Sequence, residues 1–154
     1  MVMACRIHEG DPDRDDVRAL LTQHFAEMRA GSPPEACHVL PTDGLKDPAI
    51  RFFTLREDGV LLGCGALKRL GPGHGEIKSM RTANAALGRG IGSVMLDHIV
   101  ATARIEGIAR LSLETGSTEQ FAAAIRLYEK QGFERTGPFG DYADTAWTLF
   151  FTKE

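Results

Sequence analysis

A glycine-rich turn at residues 88–92 has the composition of an anion-binding loop. Its five residues are Gly-Arg-Gly-Ile-Gly, and a helical pattern of apolar residues follows directly. Glycines let a backbone bend sharply and approach a ligand closely. The first amides of the following helix, together with the positive end of its dipole, would face the same point. The spacing therefore favours a phosphate or pyrophosphate group as the ligand of this turn.

Two common nucleotide-binding motifs do not fit this turn. A dinucleotide fingerprint requires glycine at Ser93 if it starts at Gly88, and at Met95 if it starts at Gly90. A phosphate-binding P-loop requires Lys followed by Ser or Thr after its last glycine, whereas Ser93 and Val94 follow here. A pyrophosphate site held by backbone amides and a tightly packed structural turn both remain open on this segment alone.

Cysteine and histidine are too sparse in this sequence to predict a metal site. The three cysteines, Cys5, Cys37 and Cys64, are widely spaced and form no CxxC pair. The five histidines include no group at ligand spacing. Cys64 lies between glycines without a histidine placed to activate it, so it is predicted to be a small core residue. We expect reduced thiols, a cytoplasmic location and no metal.

The charge and hydropathy of the chain argue against two classes of partner. The 154 residues carry a formal net charge of -3 at pH 7, and their lysines and arginines form no run. A nucleic-acid-binding surface would show as a basic stripe. No apolar segment approaches the roughly 20 residues that cross a bilayer. We therefore expect no nucleic-acid partner and no membrane insertion, and a small ligand is favoured.

The periodicity of apolar residues predicts one domain, residues 1–154, with an α/β or α+β fold and a largely antiparallel sheet. Asp58 and Gly59 between two apolar runs predict a tight hairpin. Asp11 followed by Pro12 predicts the start of the first helix. Helices are predicted from Pro12 to a stop at Gly31, from Ile91 to a stop before Gly107, and along the apolar face that begins at Phe121 to a stop at Gly132. Strands are predicted at Cys5–His8, Ile50–Arg56, Val60–Arg69, Glu76–Thr82, Arg110–Thr115 and Trp147–Lys153.

Two segments carry signatures that are more specific than the turn alone. Residues 127–133 match the pattern Leu-Tyr-x-x-x-Gly-Phe, and residues 76–92 join a predicted strand to the glycine turn. In this order and at this distance, the two segments resemble the GNAT superfamily of acyl-CoA N-acyltransferases. The element order is similar to that fold over the whole chain. Residues 63–68 and 138–142 further resemble a subgroup of small bacterial members, a resemblance that does not fix the acceptor.

The resemblance implies a mixed, largely antiparallel sheet with flanking helices, in which splayed central strands hold coenzyme A. Acetyl-CoA is the implied donor. Main-chain groups of Met80 and Thr82 would hold the pantetheine arm and stabilise the oxyanion that forms. The chain departs from the family at Leu87, where Arg or Gln is usual, and at Phe121, where Asn is frequent. The implied cofactor site comprises Met80, Arg81, Thr82, Leu87, Gly88, Arg89, Gly90, Ile91, Gly92, Ser93 and Tyr128.

Two residues are candidates for the proton transfers that acyl transfer to an amine requires. The corresponding tyrosine of many relatives donates a proton to the departing thiolate, so Tyr128 is the candidate acid, although its apolar stripe also fits a core residue. Histone-acetylating relatives carry a base glutamate at the spacing of Glu76, which is the candidate base; a plain ion-paired or solvated carboxylate is the alternative. Strand alternation predicts that Glu76, Lys78, Met80 and Thr82 share one face.

Four residues are candidates for the acceptor pocket. Glu114 and Thr115 end a predicted strand, where loops of such sheets reach ligands, and Glu114 suits a cationic acceptor. Asp141 and Tyr142 precede the last strand, although they also fit a plain turn. The leading hypothesis is acetyl transfer from acetyl-CoA to a primary amine of a small molecule. A non-catalytic acyl-CoA sensor and a protein-amine acetyltransferase are the alternatives. A homodimer is the candidate assembly, although the sequence does not fix the oligomeric state.

Overall fold

The computed structural model describes residues 5–31, 42–140 and 142–154, which form a seven-stranded sheet with three α-helices. The predicted mixed fold with a largely antiparallel sheet is confirmed. The strands are β1 (Cys5–Glu9), β2 (Ile50–Glu57), β3 (Val60–Gly71), β4 (His74–Thr82), β5 (Arg110–Gly116), β6 (Glu134–Thr136) and β7 (Thr148–Lys153). The helices are α1 (Asp15–Gly31), α2 (Ile91–Ile105) and α3 (Ala122–Lys130), and short 3-10 segments occur at Thr42–Lys46, Asn84–Ala86 and Glu119–Phe121.

The sheet is antiparallel except between its central strands β4 and β5. The strand order is β1-β2-β3-β4-β5-β7-β6. β4 and β5 run parallel, and their pairing covers His74 to Ile77 against Arg110 to Leu113. Beyond that, β4 continues along β3 and β5 continues along β7. The sheet is therefore open between the second halves of its two central strands.

Apolar residues pack on both faces of the sheet because each helix presents one apolar stripe at helical spacing. Leu20 and Leu21 of α1 pack with Ala66 of β3 in one cluster. Ile99 of α2 packs with Leu67 of β3 in another, to which α3 also contributes. Since Ala66 and Leu67 are consecutive strand residues, the two clusters lie on opposite sides of the sheet. They are called here the α1 face and the α2 face.

A β-bulge in β4 interrupts the alternation of its side chains. Between the pairs Cys64–Arg81 and Ala66–Lys78, β4 has one residue more than β3. Ser79 lies in this segment with φ of 55°. An extra residue leaves the strand paired but reverses the phase of the side chains that follow. The two halves of β4 therefore expose different positions to each face.

The bulge corrects the predicted faces of β4. Glu76 and Lys78 lie on the α1 face, because Lys78 is paired with Ala66. Met80 instead packs against the cluster on the α2 face. Thr82 Oγ1 lies 3.9 Å from a Cβ built on Gly92 of α2, which places Thr82 on that face too. The prediction that all four side chains share one face is wrong. It assumed regular alternation along the strand, and the inserted residue breaks that alternation.

Two element predictions also differ from the structure. α1 begins at Asp15 rather than at Pro12, and the Asp11 carboxylate accepts the Asp13 amide at 2.8 Å in a turn before the helix. The short strand β6, which was not predicted, pairs with β7. Its 3 residues are too few to show an alternating pattern. The remaining bounds agree to within about two residues.

Candidate active site

The glycine turn at residues 88–92 leads directly into α2. Gly88 and Gly90 have φ of 80° and 79°, values that glycine adopts without strain. Gly90 is the N-cap residue of α2, and no side chain caps the helix. The first amides of α2 are therefore not used by a cap, and they lie at the positive end of the helix dipole. This geometry suits an anion.

The side chains around the turn provide fewer groups for binding an anion than its backbone does. Arg89 Nη2 contacts Glu57 Oε2 at 2.8 Å, so its charge is directed toward the last residue of β2. Leu87 is 63% exposed and has no polar group to offer. Gly92 faces α3, because a Cβ there would lie 3.2 Å from Leu127 Cδ2. α3 therefore packs beside the first turn of α2.

The open half of the sheet lies directly before this turn. Beyond Ile77, the strand pairing described for β4 is with β3 alone. Met80 and Thr82 lie in this segment, with main-chain groups along the open edge and side chains on the α2 face. Ile91 is buried in the core, and Ser93 is half-buried in the first turn of α2. An extended edge thus ends at an uncapped helix N-terminus.

Tyr128 of α3 is packed into the core on the α2 face. It is 7% exposed. Its ring lies 6.1 Å from that of Phe133 and 6.3 Å from that of Phe151, centroid to centroid. Burial raises the pKa of the phenol to about 12, because the charged form loses its solvation. The group stays protonated at neutral pH, a state in which it can donate a proton.

Glu76, Lys78 and Tyr142 form a buried polar cluster on the α1 face, called here the Glu76 cluster. Lys78 Nζ donates to Glu76 Oε2 at 3.0 Å and to Tyr142 Oη at 2.7 Å. Tyr142 Oη donates to the same carboxylate oxygen at 2.5 Å. Glu76 is 3% exposed, and a buried carboxylate requires such partners. Burial, reinforced by the charge of Glu76, raises the pKa of Tyr142 well above its ordinary value, so this phenol also stays protonated.

Lys78 is the member of the Glu76 cluster that sequence reasoning did not assign to the site. It follows Glu76 by two positions, the spacing that places two strand side chains on one face. That signal could have identified the ion pair. The contact with Tyr142 could not have been identified in this way, because 64 positions separate Lys78 from Tyr142 and only the tertiary fold joins them.

Glu114 and Thr115, the acceptor candidates on β5, lie on opposite faces of the sheet. Glu114 is paired with Phe150, whose ring lies 6.0 Å from that of Tyr142. Its negative charge also acts on the Tyr142 phenol. Thr115 is paired with Leu149, which packs against the core on the α2 face. The structure thus brings Glu114 to the Glu76 cluster and places Thr115 away from it.

Two further candidates are Arg81 and Asp141. The Arg81 side chain lies on the α1 face, where Nη2 contacts Glu27 Oε2 of α1 at 2.5 Å. Arg81 is paired with Cys64 of β3, and its guanidinium is directed toward α1. Asp141 lies outside the described residues.

The described residues contain no group of three or more His, Cys, Asp or Glu side chains that could hold a metal ion. Within the same ranges, no helix is long and apolar enough to cross a membrane.

Cys64 is buried in the core as predicted, and its thiol donates to the Ser79 carbonyl at 3.3 Å. Burial raises the pKa of this thiol to about 12, so it is not a thiolate nucleophile at neutral pH.

The chain is similar to known acetyltransferases in sequence and in fold. A sequence profile described as the acetyltransferase (GNAT) family matches residues 15–133. The chain is 44% identical over 138 residues to the uncharacterized N-acetyltransferase YsnE of Bacillus subtilis (strain 168). The alignment covers 90% of this chain and 91% of YsnE. It is similar to a structure described as an acyl-CoA N-acyltransferase of Klebsiella pneumoniae, with a TM-score of 0.80 at 25% identity over 99% of this chain and 98% of that one. The PaiA N-acetyltransferase of Thermoplasma acidophilum, solved in complex with coenzyme A, has a TM-score of 0.75 at 17% identity over 99% of each chain.

Proposed function

This chain belongs to the GNAT family of acetyltransferases, and we propose that it transfers the acetyl group of acetyl-CoA to a primary amine of a small molecule by direct attack. Acetyl-CoA is the acyl donor of this family. One observation carries the assignment of the site: β4 separates from β5 beyond Ile77, and the segment that follows its end at Thr82 leads into the uncapped glycine turn. An extended ligand with a pyrophosphate at one end fits both features.

The residues of the open edge and of the turn fit coenzyme A. Main-chain groups of Met80 and Thr82 would hydrogen-bond the pantetheine arm and the thioester carbonyl. Backbone amides between Gly88 and Ser93 would bind the pyrophosphate. When bound, acetyl-CoA supplies an activated acyl group on a thiol that leaves readily. Leu87 lacks a polar group and Arg89 is ion-paired, so the backbone is proposed to carry most of the affinity.

The candidate acid and the candidate base lie on opposite faces of the open sheet. Tyr128, on the α2 face, keeps its proton at neutral pH and is proposed to donate it from Oη to the departing CoA thiolate, which leaves as the thiol. Glu76, on the α1 face, accepts both of its described hydrogen bonds at Oε2. Its Oε1 is therefore the atom proposed to take the proton of the amine, directly or through a water. The gap between β4 and β5 connects the two faces, which allows the two groups to act on one reacting centre.

The acidic side chains of the α1 face suit a cationic acceptor. The charges of Glu76 and Glu114 both act on the Tyr142 phenol, which places the three groups in one neighbourhood. A primary amine is protonated at neutral pH before it reacts, so it is attracted to these carboxylates. We propose that the amine binds between Glu114 and the Glu76 cluster. Lys78 would hold Glu76 and Tyr142 in position.

A non-catalytic acyl-CoA sensor is the alternative that one observation favours. Phe121 stands where many relatives carry asparagine, and it packs so tightly against Gly116 that a Cβ there would lie 2.1 Å from its ring. The polar contact that asparagine would make is absent at this position. No described contact favours a protein amine as the acceptor. The cytoplasmic location and the candidate homodimer stay predictions.

Release of CoA thiol from acetyl-CoA across a panel of amines separates the enzyme from the sensor. The enzyme predicts thiol release that requires both protein and amine, with an equal amount of acetylated amine in the product. The sensor predicts acetyl-CoA binding in calorimetry with no turnover above background for any amine. Lysine-containing peptides in the same panel examine the protein-amine alternative. A preference for peptides over every small amine would contradict the proposed acceptor class.

A further inference from the structure

Three buried polar atoms have no hydrogen-bond partner in the described part of the chain, and all three are linked to Glu27 of α1. They are Arg81 Nε, His24 Nδ1 and Thr118 Oγ1. Arg81 binds Glu27 through Nη2, and His24 lies one helical turn before Glu27. Thr118 belongs to the turn whose Gln120 donates to the Glu27 carbonyl at 3.2 Å. Since buried polar groups are normally paired, three unpaired atoms around one residue indicate a ligand.

This group of atoms lies at the open end of the split sheet. Arg81 is in the part of β4 that has separated from β5, and the bulge at Ser79 turns its side chain toward α1. Thr118 follows the end of β5 at Gly116. Lys78 of the Glu76 cluster precedes Arg81 by three residues, a span of roughly 10 Å along a strand. An acceptor whose amine and anionic group are several bonds apart can therefore contact both places on the α1 face.

The charges and donors at this place select an anion. Arg81 supplies a guanidinium with several N–H donors, its side chain is 15% exposed, and its carboxylate partner Glu27 is 45% exposed. Burial and the charge of Arg81 lower the pKa of His24 to about 4, so the imidazole is neutral at neutral pH and can present an N–H at Nδ1. Thr118 supplies a hydroxyl. A carboxylate offers two coplanar oxygens, which match a guanidinium N–H and neutral donors beside it.

We propose that the acceptor is an amino carboxylate, whose carboxylate is held by Arg81 Nε, His24 Nδ1 and Thr118 Oγ1 while its amine lies at the Glu76 cluster. This inference rests on the proposed function, because it names the class of acceptor. The three side chains select the substrate and position it, and they take no part in proton transfer.

Acceptors that differ only at the carboxylate test this assignment. For each of several amino acids, thiol release is measured with the free acid, its amide and its decarboxylated amine. We expect kcat/KM to be higher for the free acids by about tenfold or more, because a site built for a charged group rejects analogues that lack it. A wild-type protein that uses amides and plain amines as well as acids would overturn the inference and leave the proposed function intact.

Variants connect the preference to the named atoms. Arg81→Lys keeps the charge and removes Nε, so the acid-to-amide ratio of kcat/KM should fall by about tenfold. Thr118→Val removes only the hydroxyl and should lower the ratio in the same direction by less. Arg56→Lys is the matched control, because Arg56 joins β2 to Asp16 of α1 through a similar ion pair at 2.6 Å, two strands away from the opening. It should leave the ratio unchanged.

Acetyl-CoA affinity, measured by calorimetry, shows whether the three unpaired atoms bind acetyl-CoA or the acceptor. If Arg81→Lys and Thr118→Val weaken acetyl-CoA binding and act equally on acids and amides, the atoms serve the donor and the inference is wrong. If no amine is acetylated at all, the proposed function fails, and binding of N-acetyl amino acids and their amides in the presence of CoA decides the question. Tighter binding of the acids, weakened by Arg81→Lys, supports the carboxylate site, and equal binding of acids and amides contradicts it.

Discussion

At the scale of a single residue, Tyr128 has two properties. Its ring is packed in the core, and its phenol keeps the proton that it is proposed to donate. Tyr128→Phe keeps the ring between Phe133 and Phe151 and removes only Oη. We expect kcat to fall by about tenfold to a hundredfold, since one proton donor is lost, with unchanged acetyl-CoA affinity. Phe133→Leu disturbs the same aromatic packing and serves as control. Equal losses of kcat in the two variants would assign Tyr128 to packing alone.

Glu76 requires a different experiment, because its carboxylate is both an ion-pair partner and the candidate base. Glu76→Gln keeps the size of the side chain and removes its charge. We expect kcat/KM to fall by about tenfold or more near pH 7 and to recover partly by about pH 9, because more of the amine is then unprotonated without help. Tyr142→Phe retains the carboxylate and should keep the wild-type shape of the pH profile. Parallel profiles for wild type and Glu76→Gln would remove Glu76 from the mechanism.

At the scale of elements, the turn before α2 is predicted to bind the pyrophosphate through its backbone. Gly90→Ala adds a methyl group at a residue with φ of 79°, which strains the turn and fills space beside the helix amides. Gly59 in the β2–β3 hairpin has φ of 82° and equally open surroundings, so Gly59→Ala introduces similar strain elsewhere. Both variants should lose about 1 kcal/mol of stability. Calorimetry should show weaker acetyl-CoA binding for Gly90→Ala alone, and equal affinities would refute the placement.

The type of each element could be predicted from the sequence more reliably than the direction of its side chains. The glycine turn and the segment 127–133 are local patterns, and both lie where they were expected. The sequence of β4 looks like that of a regular strand, so no local pattern indicates the bulge at Ser79. Its effect is large, because it sends Met80 to the α2 face and Arg81 to the α1 face. The same reversal separates Glu76, the candidate base, from Met80 and Thr82, while Lys78 stays on its face.

At the scale of the whole molecule, the candidate site depends on contacts between distant segments. Tyr142 reaches Glu76 across 66 positions, and Arg81 reaches Glu27 across 54. Sequence patterns report on neighbours within a helix or strand, so neither contact could be predicted. Both contacts lie on the α1 face, where buried polar side chains of β4 meet α1 and the loop between β6 and β7. The proposed acceptor site on the α1 face therefore depends on the tertiary fold, whereas the glycine turn at residues 88–92 is specified by local sequence.

The pH dependence of stability is a property of the whole molecule to which His24 of α1 should contribute. Burial and the charge of Arg81 lower its pKa from 6.5 to about 4, so the folded protein binds fewer protons than the unfolded chain between these values. The stabilisation is complete above pH 6.5 and is lost as the pH falls toward 4, by on the order of 2 kcal/mol. Urea unfolding of wild type and His24→Gln at pH 7 and near pH 4.5 should show a steeper loss for wild type. Carboxylates titrate in both proteins, so equal losses would mean that His24 is protonated in the folded state.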